Sequence, residues 1–349
     1  MRRLPIYFLI DVSESMVGDP IEQVQEGIVN IIKELRTDPY ALETVYISII
    51  AFAGKSQIIT PLIELSNFYP PKLPIGGGTS MGKALNFLMR DIDSSIQKTT
   101  MEQKGDWKPI IFLFTDGNST DKVDTAFTLW NQKYKGRTNL VVITLGDNVD
   151  ASVFLKITED VLLLKNTDRE SFKKFFKWVT ASIKTSSISI NNSNDDGLHL
   201  APITNDYLSK INLEKGISKM IDENFAVILA KCQTTKRPYL IKYQKRLSLS
   251  ELKELSINTL EYKLVGAYPI DNNYFELSDG EQNNKTVNTS ELTGFPICPC
   301  CGNQYGLSHC SCGSIMCTGE EKVSHCPWCG VEAEFGFNEG SLNINRTKG

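Results

Sequence analysis

Short apolar runs alternate with amphipathic segments through the first half of the chain. A run without polar alternation, such as residues 4–10, predicts a strand that is buried on both faces of a sheet. Between these runs, apolar residues recur every three or four positions, which predicts helices with one buried face. Predicted strands cover residues 4–10, 44–52, 109–114, 140–145 and 161–164, and predicted helices cover residues 19–35, 81–92, 121–134 and 169–183. This alternation indicates an α/β fold with a doubly wound, mostly parallel sheet.

The pattern changes after residue 183. Residues 184–197 are polar and rich in Ser and Asn, which predicts a linker. The next hundred residues mix strand and helix patterns and predict a small α+β middle region of open role. Its predicted strands are 225–231, 239–243 and 262–265, and its predicted helices are 213–221 and 248–255. The predicted modules are thus residues 1–183, the linker 184–197, the middle region 198–296, a cysteine-rich module 297–337 and a tail 338–349.

Three segments of the first module carry side chains with oxygen donor atoms, each at an expected strand end. Asp11-Val-Ser-Glu-Ser follows the first predicted strand, Thr79 follows a run of three glycines, and Asp116 follows the central predicted strand. Ligands of parallel sheets bind at the carboxyl ends of strands, so these segments are expected to converge. Carboxylates and hydroxyls are hard donors that suit Mg²⁺. The sequence predicts one Mg²⁺ site, with an open coordination position for an outside ligand, formed by Asp11, Ser13, Ser15, Thr79 and Asp116.

The same region offers a competing interpretation. Residues 77–84 differ by one residue from the nucleotide-binding pattern G-x-x-x-x-G-K-[ST], because Ala84 stands where a hydroxyl should hold Mg²⁺. A proline-rich stretch precedes this run, whereas a P-loop follows an apolar strand. The three histidines, at positions 199, 309 and 325, are all remote in sequence from Ser13 and Ser15. We therefore expect a binding protein without catalytic activity, and keep a nucleotide-dependent or phosphatase-like enzyme using the same Mg²⁺ as the alternative.

Cysteines are concentrated near the end of the chain. Of nine cysteines, all except Cys232 lie between Cys298 and Cys329. Such clustering favours metal over disulfides in a chain without a secretory signal. Cys298 and Cys301 form one C-x-x-C knuckle followed by glycine, and Cys326 and Cys329 form another. Together the two knuckles predict one closed Cys₄ zinc site.

Three further cysteines lie between the knuckles and predict a second zinc ion. They are Cys310, Cys312 and Cys317. His325 is the first choice for the fourth ligand, with His309 and Cys300 as alternatives. Cross-braced pairing of the knuckles with these cysteines stays open, because spacing alone does not decide it. Zinc ions held entirely by cysteine leave no open position, so a structural role is expected.

Composition and charge narrow the function classes. Hydrophobic residues make up 41% and charged residues 22% of the chain, as in ordinary soluble proteins. A net charge of −4 and a pI of about 5.6 argue against broad binding to nucleic acid or anionic membranes. The cysteine-rich module has few basic residues nearby, namely Lys322, Arg346 and Lys348, so a nucleic-acid-binding zinc module is the weakest alternative. No apolar run reaches the roughly 20 residues that span a bilayer, and a cytoplasmic location is expected.

The proposed magnesium ligands resemble the metal-ion-dependent adhesion site of von Willebrand factor A domains, with all five family positions filled. This resemblance implies a site that binds a partner protein, whose Asp or Glu completes the metal coordination. Such a domain combined with a cysteine-rich module at about residues 297–337 resembles TerY-type proteins of bacterial tellurium-resistance and stress-response systems. The resemblance implies a cytoplasmic scaffold or regulator, associated with a PP2C-type phosphatase and a Ser/Thr kinase.

Overall fold

A computed structural model describes most of the 349-residue chain. The described residues are 2–102, 104–116, 119–145, 151–164, 168–193, 200–202, 208–210, 225–246, 261–279, 285–321, 323–336 and 340–347. The chain divides into two compact units. The first comprises Met1–Val12, Asp19–Pro74 and Thr79–Ile221, and the second comprises Ser13–Gly18, Ile75–Gly78 and Asp222–Gly349.

A seven-stranded sheet forms the centre of the first unit. Its strands are β1 (Leu4–Asp11), β2 (Val45–Phe52), β3 (Ser56–Glu64), β4 (Ile110–Thr115), β5 (Asn139–Leu145), β6 (Asp160–Leu164) and β7 (Leu208–Lys210), and its helices are α1 (Asp19–Leu35), α2 (Pro39–Thr44), α3 (Met81–Ser95), α4 (Asp124–Lys133) and α5 (Arg169–Ser193). The strand order is β3-β2-β1-β4-β5-β6-β7, with parallel pairing from β2 to β6. The predicted α/β class and mostly parallel sheet are confirmed.

The two faces of this sheet are covered by different helices. Tyr7 and Leu9 on β1 pack with α3 and α4, in a core that also contains Trp130. The intervening Phe8 stacks on Phe112 of β4, and the other aromatic ring of β4, Phe114, packs against Phe175 and Phe176 of α5. Both faces are therefore buried, which explains why the central strands read as continuous apolar runs.

Two edge strands were not predicted. β3 and β7 run antiparallel to their neighbours β2 and β6. β3 contains Pro61, and most of its residues are partly or fully exposed. Proline cannot donate a ladder hydrogen bond, so it is tolerated at the edge of a sheet.

The predicted linker at 184–197 is wrong for its first ten residues, which continue α5 to Ser193. Ser186 and Ser187 are fully buried, and the Ser187 hydroxyl lies 2.8 Å from the Thr44 hydroxyl at the end of α2. Ser187 of this Ser-rich stretch therefore takes part in a close-packed polar contact between two helices.

A six-stranded sheet of order β12-β10-β9-β8-β14-β13 dominates the second unit. The elements of this unit are β8 (Phe225–Lys231), β9 (Pro238–Arg246), β10 (Glu261–Pro269), α6 (Asn273–Leu277), β11 (Thr286–Asn288), β12 (Leu292–Thr293), β13 (Tyr305–His309), β14 (Ile315–Thr318), β15 (Val323–His325), β16 (Glu332–Glu334) and β17 (Asn343–Asn345). β8, β9 and β10 contain the three strands predicted for the middle region.

This sheet corrects the predicted modules at 198–296, 297–337 and 338–349. β14 pairs in parallel with β8, so strands from the predicted middle region and from the cysteine-rich module belong to one sheet. β17 lies in the predicted tail and pairs with β11. Residues 208–210 form β7 and belong to the first sheet. The helices predicted at 213–221 and 248–255 lie outside the described residues.

Among the described residues, none of the helices combines the length and the apolar character needed to cross a membrane.

Candidate metal centres

Two of the predicted magnesium ligands follow neighbouring parallel strands. β1 and β4 pair with Ile10 opposite Phe114, so Asp11 and Asp116 emerge at the same edge of the sheet. Asp11 is fully buried, and its Oδ2 atom accepts a hydrogen bond from the Thr115 hydroxyl at 2.6 Å. Asp116 is half-buried. Burying a carboxylate is costly unless it is hydrogen-bonded, paired or bound to a metal, and the Thr115 hydroxyl supplies one such hydrogen bond to Asp11.

Hydrogen bonds hold Thr79 at this same edge. Its backbone N–H donates to the Thr120 hydroxyl at 3.0 Å, and its carbonyl accepts from the Thr120 N–H at 2.7 Å. The next residue, Ser80, donates its N–H to the carbonyl of Ala53 at 2.7 Å. Ala53 directly follows β2, and Thr120 lies in the segment after β4. The structure therefore brings Thr79 to the carboxyl ends of the strands that flank β1.

Ser13 and Ser15 lie in the loop that follows Asp11 and belong to the second unit. Both are buried, and their hydroxyl oxygens are 3.0 Å apart. A single turn of 3₁₀ helix, in which the Met16 N–H donates to the Ser13 carbonyl, sets the spacing of the two side chains. Two carboxylates and three hydroxyls are the donor set predicted from the sequence, and such a set suits Mg²⁺.

The near-match to a P-loop has a different role in the structure. The backbone N–H groups of Gly82 and Lys83 donate to the two carboxylate oxygens of Asp121, each at 2.9 Å. These amides lie in the first turn of α3, where a P-loop would present N–H groups to a phosphate. Asp121 therefore occupies, as a helix cap, the position that a nucleotide phosphate would need.

Eight cysteines form two clusters of four in the second unit. The ligand atoms within each cluster lie within 4.8 Å of one another. The first cluster contains Cys232, Cys298, Cys301 and Cys317, and the second contains Cys310, Cys312, Cys326 and Cys329. The prediction that the two C-x-x-C knuckles share one site is therefore wrong. Each knuckle belongs to a different cluster, and the arrangement is the cross-braced one that spacing left open.

Both knuckles have the same local geometry. The N–H of Gly302 donates to the Cys298 carbonyl, and the N–H of Gly330 donates to the Cys326 carbonyl, each at 2.9 Å. These two glycines have φ values of +78° and +77°, a conformation that residues with a Cβ rarely adopt. The glycine after each knuckle therefore lets the turn close, as the sequence predicted.

Cys232 is the ligand that the sequence analysis missed. It directly follows β8 and is fully buried, and its N–H donates to the Arg237 carbonyl at 2.8 Å. Lys236 donates its N–H back to the Cys232 carbonyl with a φ of +59°, in the position that glycine takes in the knuckles. The available signal was the ligand count, because two four-ligand sites need eight ligands and the sequence analysis assigned only seven cysteines. Because Cys232 lies far from the other cysteines in the sequence, its membership of this cluster was not predicted.

The predicted ligand His325 lies outside both clusters. It is exposed and its Nε2 atom lies 3.2 Å from Glu332 Oε2, across the β15–β16 pair. The eighth ligand is Cys232 and not the predicted His325. Cys232 is clustered with Cys298, Cys301 and Cys317. The alternatives His309 and Cys300 are likewise not members of either cluster of described residues.

The cysteine clusters fit tetrahedral zinc. Cys301 and Cys317 have sulfurs 3.7 Å apart, and sulfur distances of 3.9 Å separate Cys310 from Cys329 and Cys312 from Cys326. A Zn–S bond of about 2.3 Å implies a sulfur separation of about 3.8 Å in a tetrahedron. The backbone N–H of Gln233 also donates to the Cys317 sulfur at 3.3 Å, which favours the thiolate that a metal requires.

The thiols of the first cluster differ in acidity. Burial raises the pKa of Cys317 to about 11. Burial also acts to raise the pKa of Cys232, but hydrogen bonds with Thr235, Cys301 and Thr234 together outweigh it and lower that pKa to about 7. In the second cluster, hydrogen bonds with Ser314, Cys310 and Cys329 together outweigh burial and lower the pKa of Cys312 to about 7. Each cluster thus contains one cysteine that is readily ionised near neutral pH.

Comparison with known proteins gives two family matches. The von Willebrand factor type A domain matches residues 6–178, and the TerY-C metal binding domain matches residues 222–349. The second match coincides with the part of the chain that carries both cysteine clusters. It also supports the merging of the predicted middle, cysteine-rich and tail segments into one domain.

Solved structures show distant similarity to about half of the chain. Proximal thread matrix protein 1 from the mussel byssus, with a zinc-occupied MIDAS motif, is 15% identical over 53% of this chain and 46% of that chain, with a TM-score of 0.38. The ArnB paralog VWA2 from Sulfolobus acidocaldarius is 14% identical over 53% and 45%, with a TM-score of 0.36. The PilB minor pilin from Streptococcus sanguinis is 15% identical over 52% and 61%, with a TM-score of 0.39.

The chain spans less than two thirds of the length of each of these structures. The family matches, in contrast, cover nearly all of the chain and agree with its two sheets. They describe a metal-dependent interaction domain followed by a metal-binding module. The chain is therefore a TerY-type protein, which joins a von Willebrand factor type A domain to a TerY-C metal binding domain.

Proposed function

We propose that this protein is a Mg²⁺-dependent interaction protein that assembles signalling partners in a bacterial stress-response system. The observation that carries the proposal is the placement of Asp11, Thr79 and Asp116 at one edge of the first sheet, with Ser13 and Ser15 directly after Asp11. Oxygen donors from three chain segments thus meet where α/β sheets bind their ligands.

The chemistry of the donor set favours binding of an acidic partner. Only two of the five donors are charged carboxylates, and the other three are neutral hydroxyls. A divalent cation held by this set therefore remains electrophilic enough to attract a further anionic ligand. One coordination position remains for an oxygen from outside, and a partner's Asp or Glu would supply both the oxygen and the missing charge. A PP2C-type phosphatase and a Ser/Thr kinase are the partners that the TerY resemblance suggests.

We further propose that the site is not catalytic. The three histidines, at positions 199, 309 and 325, are all remote in sequence from Ser13 and Ser15, so the sequence offers no nearby base to activate either serine. The amides of Gly82 and Lys83 that a nucleotide would need already donate to Asp121. This capping supports the binding role over the nucleotide-dependent alternative.

The two cysteine clusters have a structural role in this proposal. An ion with four thiolate ligands has no open position for a substrate or for water. Binding energy at such sites contributes directly to folding. The composition of the chain and its reduced, clustered cysteines support a cytoplasmic location.

The test is a pull-down from native lysate with wild-type protein and Asp11→Ala, each with Mg²⁺ and with EDTA. We expect a partner that is retained by the wild type with Mg²⁺ and is lost with Asp11→Ala. Asp160→Ala is the matched control, because it removes a half-buried carboxylate at the amino end of β6, away from the proposed site, that pairs with Lys210 at 2.8 Å.

EDTA also removes zinc, so the substitution is the decisive arm of this experiment. Equal retention by the wild type and Asp11→Ala would contradict the proposal. It would also move the partner-binding surface away from the magnesium site. If Asp160→Ala also failed to retain the partner, the loss would reflect the removal of negative charge in general and not the loss of a magnesium ligand.

A further inference from the structure

Glu14 lies between Ser13 and Ser15 in the loop after β1. Two hydrogen bonds from other residues of the second unit fix its carboxylate. It is almost completely buried, with 2% of its surface exposed. Its Oε1 atom accepts a hydrogen bond from the Tyr274 hydroxyl at 2.6 Å, and its Oε2 atom accepts one from the Gly78 N–H at 2.8 Å. Hydrogen bonds to a buried charged group are among the stronger ones in proteins.

This carboxylate joins two ligand-bearing segments. Glu14 follows Ser13 and precedes Ser15, and Gly78 precedes Thr79. Tyr274 lies on α6, and Ser278, just after α6, accepts a hydrogen bond from the Gly77 N–H at 2.9 Å. A displacement of Tyr274 would therefore be transmitted through one side chain to the backbone of both segments.

A buried lysine holds the other end of the loop. Lys242 on β9 has 3% of its surface exposed, and its ammonium donates to the Ser15 carbonyl at 2.5 Å and to the Val17 carbonyl at 3.3 Å. Val17 packs in an apolar cluster with Leu240, and the Tyr274 ring belongs to the same cluster. Both ends of the Ser13–Gly18 segment are thus fixed by residues that follow position 222.

We propose that Tyr274 acts through Glu14 as a positioning residue that sets the affinity of the adhesion site for Mg²⁺. The inference rests on the proposed magnesium site, because it concerns the serines that would hold the ion. No contact between Tyr274 and the metal is involved. Its hydroxyl fixes Glu14, and Glu14 fixes the backbone that orients Ser13 and Ser15.

The physical reason is preorganisation. A hydroxyl is a weak, neutral ligand, so its contribution depends on being held at bonding distance before the cation arrives. If the loop is loose, metal binding must also order it, and the cost of that ordering reduces the affinity. Side chains that orient metal ligands contribute roughly ten- to a hundredfold to affinity in other proteins.

The experiment measures Mg²⁺ affinity by calorimetric titration of the full-length, zinc-loaded chain. Tyr274→Phe keeps the ring in its apolar cluster and removes only the hydroxyl, and we expect roughly tenfold weaker Mg²⁺ binding. Tyr243→Phe is the matched control, because it removes a buried tyrosine hydroxyl of the same unit that donates to the Gly294 carbonyl at 3.3 Å. The control should bind Mg²⁺ like the wild type.

A double-mutant cycle separates positioning from general destabilisation. In a Glu14→Ala background the target of the Tyr274 hydroxyl is absent, so adding Tyr274→Phe should cause no further loss of Mg²⁺ affinity. Equal losses in both backgrounds would overturn the inference, as would wild-type affinity for Tyr274→Phe. Zinc content and thermal melting of each variant verify that the fold is intact.

Failure of this inference is distinguishable from failure of the proposed site. Asp11→Ala is titrated in the same series. If wild-type protein binds Mg²⁺ and Asp11→Ala does not, the site stands, and the Tyr274 variant alone decides the positioning role. If the wild type itself shows no Mg²⁺ binding, the proposed function fails, and the inference fails with it.

Discussion

A single residue, Cys232, completes a cluster whose other members lie far along the chain. Its sulfur lies with those of Cys298, Cys301 and Cys317 because β8, which it follows, pairs with β14, which carries Cys317. The sheet therefore decides the pairing, and the spacing of cysteines does not. The two cysteines of each knuckle were therefore correctly predicted to share a site. The prediction that both knuckles bind the same zinc ion was wrong.

We expect Cys232→Ser to lower the zinc content from two ions to one per chain, since a cluster with three thiolates binds zinc much more weakly. Zinc is measured by mass spectrometry after gel filtration. Cys300→Ser is the matched control, because it changes a cysteine of the first knuckle that belongs to neither cluster. His325→Ala should also retain two ions. Loss of zinc from His325→Ala with retention by Cys232→Ser would restore the pairing predicted from sequence.

The magnesium ligands were easier to predict than the zinc ligands. Asp11 and Asp116 each follow an apolar run, and the carboxyl ends of parallel strands share one edge of a sheet. Their convergence thus follows from local pattern and fold class alone. Cys232 required knowledge of a strand pair, and Glu14 required knowledge of its contact with Tyr274, neither of which has a local sequence signature.

At the scale of elements, α3 begins at a cap supplied by another segment. Ser80 precedes the helix but makes no capping hydrogen bond with its side chain, and Asp121 provides the acceptors instead. The loop that carries Thr79 is therefore fixed by the same chain segment that follows Asp116. The helix start and the candidate site share one set of hydrogen bonds.

We expect Asp121→Ala to lower the free energy of unfolding by about 1 kcal/mol, the usual cost of losing a helix cap. Urea denaturation followed by circular dichroism measures this change. Asp124→Ala is the matched control, because Asp124 is an exposed acidic residue in the first turn of α4, and its loss should cost less than about 0.5 kcal/mol. A smaller effect for Asp121→Ala than for the control would contradict the capping role.

Elements with strong periodicity were predicted well, and those defined by tertiary contacts were not. The central strands are apolar throughout because both faces are covered, and this pattern is visible in sequence. β3 carries Pro61 and is mostly only partly buried, and a proline within an apolar run argues against a strand unless it lies at a sheet edge. The last part of α5 contains Ser187, which packs against Thr44, but its Ser-rich composition alone is typical of a linker.

At the scale of the whole chain, the predicted middle region from residue 222 onward and the cysteine-rich module are one domain. β8, β9 and β10 continue into β14 and β13 in a single sheet, and the first cysteine cluster joins β8 to β14. The sequence analysis placed a domain boundary between residues 296 and 297 because the cysteine content changes abruptly there. Pairing between distant strands is invisible to composition, so the boundary was placed at the wrong position.

We expect zinc removal to loosen β8, β9 and β10 as well as the knuckles, because metal binding and folding are coupled in such sites. Hydrogen exchange is compared before and after treatment with a zinc chelator in excess Mg²⁺. Backbone amides of residues 225–246 should lose protection, while those of β4 and β5 serve as the internal control. Loss of protection confined to residues 297–336 would contradict a shared domain.

The interleaved order of the two clusters has a consequence for synthesis on the ribosome. Cys232 emerges long before its three partners, and the second cluster opens at Cys310, before the first closes at Cys317. Neither tetrahedron can be completed until most of the TerY-C domain has been translated, and the second requires Cys329. Zinc loading is therefore a late event in biosynthesis, and Cys232 is synthesised well before the other three ligands of its cluster.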